Sequence, residues 1–255
     1  MICKLCLQEK KLIGKSHIIP KFMYKDLFDE NHFIHSLNLD TLEPNKKLPD
    51  GIYERNILCS NCDNVVLGRL ENYASKIIYG SNGGLAQNEY PKFEYRKSIN
   101  ENELKSILIS NIDYTKFKLF LLSILLRAHF SKHDFFREID LGIYADKIRK
   151  MILDGDAGEE HILETSLFYL KTNDVLAKSI AMPRYLKQKG NSSYIFSINK
   201  ILYFFNLSQT NKHPLVEKGH ITKDDLMEVA VLTGEFANSF FDSFLGKKIR
   251  LRNRY

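Results

Sequence analysis

The chain has 255 residues, is 44% apolar and carries a formal net charge of +6. These values fit a globular protein with a packed core and exclude a disordered or fibrous one. The longest apolar stretch, Leu119 to Leu126, is broken by Ser123 and followed by Arg127. It is too short to cross a bilayer, so no membrane role is expected. The positive charge is uneven. Residues 1–26 hold six lysines against Glu9 and Asp26, and Lys247, Lys248, Arg250, Arg252 and Arg254 crowd the C-terminus without an acid. Such runs permit contact with a polyanion and also occur as solvated faces or basic tails.

The four cysteines of the chain fall as two Cys-x-x-Cys pairs, Cys3 with Cys6 and Cys59 with Cys62. Two such pairs supply the four soft ligands of a tetrahedral Zn²⁺. A redox pair is the weaker alternative, because nothing around Cys3 suggests the βαβ unit that carries a thioredoxin-type motif. Two disulfides are a further alternative. Lys4 and the Glu9-Lys10-Lys11 run interrupt any signal-peptide core, so a reducing, cytoplasmic setting is expected, and that argues against disulfides.

After the first pair comes a long polar connection from Asp29 to Asp50. Next, Leu67, Leu70, Tyr73, Ala74 and Ile77 recur at helical spacing and predict an amphipathic helix over 64–79. Gly80-Ser81-Asn82-Gly83-Gly84 is a breaker cluster and marks a boundary between regions 1–80 and 81–255. Residues 113–131 carry a broad apolar face and predict a core helix, and 141–153 predict another. From Ser193 to Ser208 the pattern changes to period two, with a turn at Asn199-Lys200, which predicts a β-hairpin. Tyr203 and Phe205 on that hairpin are expected in the core, although strand aromatics can also stack on bases. Thr222 followed by Asp225 resembles a helix start and predicts a last helix to about Phe244. The fold class expected is α+β, with a zinc-stabilised N-terminal core followed by a mixed helical and β-hairpin region.

Between the cysteine pairs lies Lys15-Ser16-His17-Ile18-Ile19-Pro20, and the second pair sits in Gly51-Ile52-Tyr53-Glu54-Arg55-Asn56-Ile57-Leu58-Cys59-Ser60-Asn61-Cys62-Asp63-Asn64. A histidine followed by two apolar residues and proline, enclosed by two Cys-x-x-Cys pairs, resembles the HNH endonuclease motif on a zinc-supported ββα-metal, or treble-clef, core. Together with Glu71, Tyr73 and Ala74, residues 1–80 also resemble a bacterial HNH-like subgroup without a settled activity.

The resemblance implies a metal-dependent endonuclease that hydrolyses DNA or RNA, of a kind found in bacterial defence. His17 would activate water, and Mg²⁺ or Mn²⁺ would stabilise the phosphorane charge. Ser16 stands where many HNH enzymes place a metal-binding aspartate, so Glu54 and Asp63 would supply the oxygen ligands. Asn56 and Asn64 are near enough in sequence to substitute. Zinc at Cys3, Cys6, Cys59 and Cys62 would be structural, and Lys15, Lys21 and Lys25 would meet the phosphate backbone. The second region would recognise substrate, a protein partner or another copy of the chain. The same residues also allow a zinc-binding module that holds nucleic acid without cutting it, or an interaction protein. Each site residue has a structural alternative: His17 as a hydrogen-bonding group of the knuckle, Glu54 as an ion-pair partner, Asp63 as a helix cap.

Overall fold

The computed structural model describes residues 1–38, 44–79, 90–96, 105–171, 178–188, 191–207 and 221–233. Four short strands open the chain: β1 (Ser16–His17), β2 (Ile34–Leu37), β3 (Pro44–Leu48) and β4 (Tyr53–Glu54). A π-helical stretch, Asn61–Leu67, then runs directly into α1 (Gly68–Tyr79). Next come β5 (Lys92–Arg96), β6 (Lys105–Ser110), α2 (Tyr114–Phe130) and α3 (Ile143–Asp154). The last strands are β7 (Thr165–Leu170), β8 (Ser179–Gln188), β9 (Asn191–Ile198), β10 (Ile201–Asn206) and β11 (Leu226–Leu232).

The fold is α+β. Nine strands form one sheet in the order β3-β2-β8-β9-β10-β7-β11-β6-β5, and β1 and β4 form a separate antiparallel pair. Within the large sheet, β2 runs parallel to β8 and β11 parallel to β7, and the other neighbours are antiparallel. Because β2 and β3 belong to the first eighty residues, both regions of the sequence contribute to the sheet. The breaker at residues 80–84, the basic C-terminus and the residues beyond 233 lie outside the described residues.

The helix α2 is buried around its whole circumference, with Phe117, Phe120, Leu121, Leu122, Ile124, Leu125 and Ala128 among its buried side chains. Apolar residues on every side are what a fully enclosed helix requires. Asp113 caps its start by accepting a hydrogen bond from the Lys116 N–H at 2.8 Å. From the sheet, Tyr194, Phe196 and Ile198 on β9 with Tyr203 and Phe205 on β10 join α2 in one core, as strict alternation along those strands allows. Tyr203 and Phe205 are core residues, each 1% exposed. The two-residue turn between β9 and β10 places Asn199 at φ +57°, a conformation asparagine tolerates better than most residues.

Two expectations fail for local physical reasons. The connection from Asp29 to Asp50 contains β2 and β3, short strands at the sheet edge whose polar residues gave little periodic signal. The expected helix from Thr222 is strand β11 at Leu226–Leu232. Asp225 adopts φ +59° in a turn closed by its N–H to the Thr222 carbonyl (3.1 Å), and its carboxylate accepts the Tyr114 N–H at 3.1 Å. Met227, Val229 and Val231 then alternate onto one face, and β-branched valines suit a strand.

Candidate metal centre

The N-terminal segment is zipped onto residues 52–59 by main-chain hydrogen bonds. Lys4 N–H donates to the Ile57 carbonyl, Ile13 N–H to Leu58, Asn56 N–H to Ile13 and Ile18 N–H to Ile52. Gly51 makes the return possible: it sits at φ +70°, and a Cβ there would lie 2.4 Å from the Tyr24 ring. The buried Tyr24 hydroxyl accepts the Ile52 N–H at 3.1 Å. These contacts carry Cys3 and Cys6 to Cys59 and Cys62, which flank the start of the helical segment.

All four sulfurs lie within 4.8 Å of one another, and Cys3, Cys59 and Cys62 are buried. A tetrahedral Zn²⁺ with Zn–S bonds of about 2.3 Å needs sulfurs about 3.8 Å apart, so the donor set and its spacing fit the ion. The cysteines are free thiols, not disulfides. Their acidities diverge. Burial raises the Cys3 thiol, but N–H groups of Cys6, Cys59 and Leu5 outweigh it and bring it down to about 7. One of these, Cys59 N–H, points at Cys3 Sγ at 3.3 Å. Burial and the neighbouring sulfurs push Cys62 strongly up. Four sulfurs this close cannot all ionise without a cation among them, whereas a bound dication makes all four thiolates favourable. Among the described residues this is the group of His, Cys, Asp and Glu side chains whose ligand atoms converge.

The residues between the pairs are placed by the β1–β4 ladder, in which Ser16 faces Glu54 and His17 faces Tyr53. Adjacent strand residues point to opposite faces, and their contacts follow that rule. The buried Ser16 hydroxyl donates to Asp63 Oδ1 at 2.5 Å, joining β1 to the first turn of the helix. His17 lies edge-on to Tyr53, with ring centroids 6.2 Å apart. Its Nε2 is buried without a hydrogen-bond partner among the described residues. Burial first, and Lys15 second, hold its pKa below the usual histidine value. Glu54, on the face of Ser16, is engaged at the end of α2: its Oε1 accepts from Ser131 Oγ (2.8 Å), Lys132 N–H (2.7 Å) and His133 N–H (3.0 Å), closing the turn after α2. His17, Glu54 and Asp63 are therefore neighbours in the fold without a shared centre. Asn64 donates to Ser60 Oγ, and Asn56 sits at φ +57°.

Of the lysines, Lys15 pairs with Asp50 and lies over the Tyr53 ring. Lys21 and Lys25 are exposed on the single turn that follows Pro20.

Sequence reasoning missed the junction with α2. Arg127, 2% exposed, donates from Nη1 to the His17 carbonyl at 2.9 Å and to Glu71 Oε1 at 2.6 Å. Tyr73 accepts the Asp113 N–H at 2.6 Å through its hydroxyl, and Ala74 is fully buried. The Glu71, Tyr73 and Ala74 motif is thus the face on which α1 meets α2. An arginine inside an apolar run was the available signal, because buried charge is retained only with a partner.

Fold and site together define an α+β protein with a four-cysteine centre able to hold a zinc ion. Comparison with protein-family models, with curated proteins and with solved structures finds no match to the chain. No helix among the described residues is long and apolar enough to cross a membrane.

Proposed function

We propose that the chain is a zinc-ordered nucleic-acid-binding module of HNH-like, treble-clef build that does not cut its ligand. The observation that carries this proposal is the divergence of the three expected catalytic side chains. Ser16 and Asp63 close on each other, Glu54 is held by the turn after α2, and His17 lies on the opposite face of the strand pair. A hard dication needs several oxygen ligands, and Ser16 brings no carboxylate. Zinc at Cys3, Cys6, Cys59 and Cys62 would be structural, with no open position for water. Support for the build comes from the order of parts: a Cys-x-x-Cys turn, the β1–β4 pair, then a second Cys-x-x-Cys at a helix start. Support for the ligand comes from the basic balance of the chain and from exposed Lys21 and Lys25 just beyond His17. Phosphate contacts of that kind give salt-dependent, sequence-tolerant binding.

A second reading, metal-dependent nuclease, is favoured by one observation, the buried His17 Nε2, which has no hydrogen-bond partner among the described residues and belongs to a ring whose pKa burial lowers. In that case His17 would be the base, and Asp63 with Glu54 would hold Mg²⁺ or Mn²⁺ after leaving their present partners.

Incubating the purified chain with labelled DNA and RNA and each divalent ion separates the two. The expected result is retention that weakens with salt and no cleavage. Cleavage that His17→Ala abolishes, with zinc content unchanged, would replace this proposal by the nuclease.

A further inference from the structure

The four sulfurs are close together but unequally open to solvent. Cys3, Cys59 and Cys62 are at most 2% exposed, whereas Cys6 is only half-buried. Cys6 stands at the tip of a turn that the Leu7 N–H closes on the Cys3 carbonyl at 2.8 Å, and Leu7 itself is 54% exposed at φ +57°. An oxidant arriving from solvent therefore meets Cys6 first, and every other sulfur lies within 4.8 Å of it. Zinc ligands are thiolates, and the thiolate is the form that peroxides oxidise. A redox-sensing cysteine is a thiolate, is open to solvent and stands next to a second thiol that resolves it. In the zinc-loaded centre Cys6 meets all three conditions.

The effect of a new bond depends on the partner. Cys3 and Cys6 are the two sulfurs that the N-terminal segment contributes, and they share one turn, so joining them moves no segment past another. The sulfurs left over, Cys59 and Cys62, both belong to the other segment. The link between segments through the metal is then lost, whereas a Cys6–Cys62 bond would preserve it. Besides the buried Leu5 and Leu12, residues 1–13 are held by main-chain hydrogen bonds with Asn56, Ile57 and Leu58, by Lys4 Nζ on the Phe130 carbonyl at 3.0 Å and by Arg149 Nη1 on the Leu5 carbonyl at 3.3 Å. Loosening this segment therefore reaches the end of α2 and the outer face of α3.

Resting on zinc at the four cysteines as proposed above, we infer that the centre is a peroxide-opened latch, with Cys6 as the reacting thiolate and Cys3 as the resolving one. The Cys6 sulfur attacks one peroxide oxygen, the O–O bond breaks, and Cys6 sulfenic acid and hydroxide form. The Cys3 thiolate then attacks the Cys6 sulfur and expels a second hydroxide, leaving a Cys3–Cys6 disulfide. The two thiolates supply the two electrons that reduce the peroxide. Cys59 and Cys62 alone do not complete a tetrahedral site, so the ion is released and the N-terminal segment detaches from residues 52–62.

The test uses the full chain loaded with zinc, hydrogen peroxide, a chromogenic zinc chelator, disulfide mapping by mass spectrometry and amide exchange. Metal analysis before oxidation should find about one zinc per chain. A chain that takes up none overturns the zinc proposal and the latch with it. Peroxide should release the ion, yield the Cys3–Cys6 bond and raise exchange at Lys4, Ile13 and Asn56 while β9 and β10 stay protected. Dithiothreitol with added zinc should restore the starting state. Cys6→His, which keeps a fourth ligand of a kind zinc accepts, should slow release about tenfold or more. The bond map and the exchange are read on the unaltered chain and decide the proposal even if that variant fails to fold. Zinc retained in excess peroxide, a first bond that is not Cys3–Cys6, or release without loss of protection at Ile13 overturns the latch and leaves structural zinc standing. Unslowed release from zinc-loaded Cys6→His removes Cys6 from its role and overturns the latch as well.

Discussion

The cysteine lobe and the nine-stranded sheet share one apolar core and differ in what is added to it. The sheet and α2 bury long alternating and all-round apolar sequences, and their register follows from keeping those side chains dry. The lobe has two-residue strands, a single turn after Pro20 and a helix whose first turns are π-helical. Elements this short cannot form a core of their own, and Leu5, Ile18, Ile19, Ile52 and Leu58 are buried in the core that α2 also enters. To that core the lobe adds polar ties between distant parts of the chain: the four sulfurs, the Ser16–Asp63 bond, the three donors on Glu54 and the Arg127–Glu71 pair. The contrast teaches that short elements can be held in place by a few polar ties, Glu54 to the end of α2 and Glu71 to Arg127 among them.

The strongest test of that contrast is loss of a sulfur. Cys59→Ser should abolish zinc binding and release residues 1–18 from 52–62, since structural zinc in small folds supplies about 10–16 kcal/mol of binding free energy. Metal analysis and amide exchange will check it, with protection expected to vanish in the lobe and persist in β9 and β10. Collapse of both together would break the distinction.

Next in size is the clamp. Arg127→Ala leaves Glu71 and the His17 carbonyl without their cation and should cost about 3–5 kcal/mol in urea unfolding. The Glu71→Ala/Arg127→Ala pair should cost less than the sum of the single changes, because each single variant strands the other partner.

The opposite end of α2 offers a pH test outside the lobe. Lys118 is 1% exposed, donating to the Tyr114 hydroxyl and the Glu159 carbonyl, and burial lowers its pKa from 10.5 to about 8, with Glu164, Glu160 and Glu159 opposing. Between those values the unfolded chain binds the extra proton, so stability rises with pH and is lost again as pH falls back toward 8. From pH 8 to 10 the gain should be about 2 kcal/mol, read from denaturation curves, and Lys118→Met should flatten it.

The smallest expected effect is Glu54→Gln, which keeps an oxygen for Ser131, Lys132 and His133 and should cost about 1 kcal/mol. A larger loss accompanied by weakened Mn²⁺ binding would return Glu54 to the metal-ligand role that the HNH resemblance implies.

Much of this was legible in the chain because it depends on local period. The α2 and α3 helices, the helix after Cys62 and the β9–β10 hairpin follow from spacing and turn chemistry within a few residues. Strands β2, β3 and β11 were not legible. Two of them are recruited by neighbours distant in sequence, β2 by β8 and β11 by β6 and β7, β3 extends the sheet by pairing with β2, and Thr222 with Asp225 imitates a helix start while closing a turn. The site divides in the same way. Paired Cys-x-x-Cys spacing determined by itself that four thiols can meet, since each pair presents its sulfurs from one turn. Which way Ser16, His17 and Glu54 look was decided only by the tertiary structure. Alternation across a two-residue ladder sends neighbours to opposite faces, and the partners waiting on each face, Asp63, Tyr53 and the end of α2, come from distant parts of the chain.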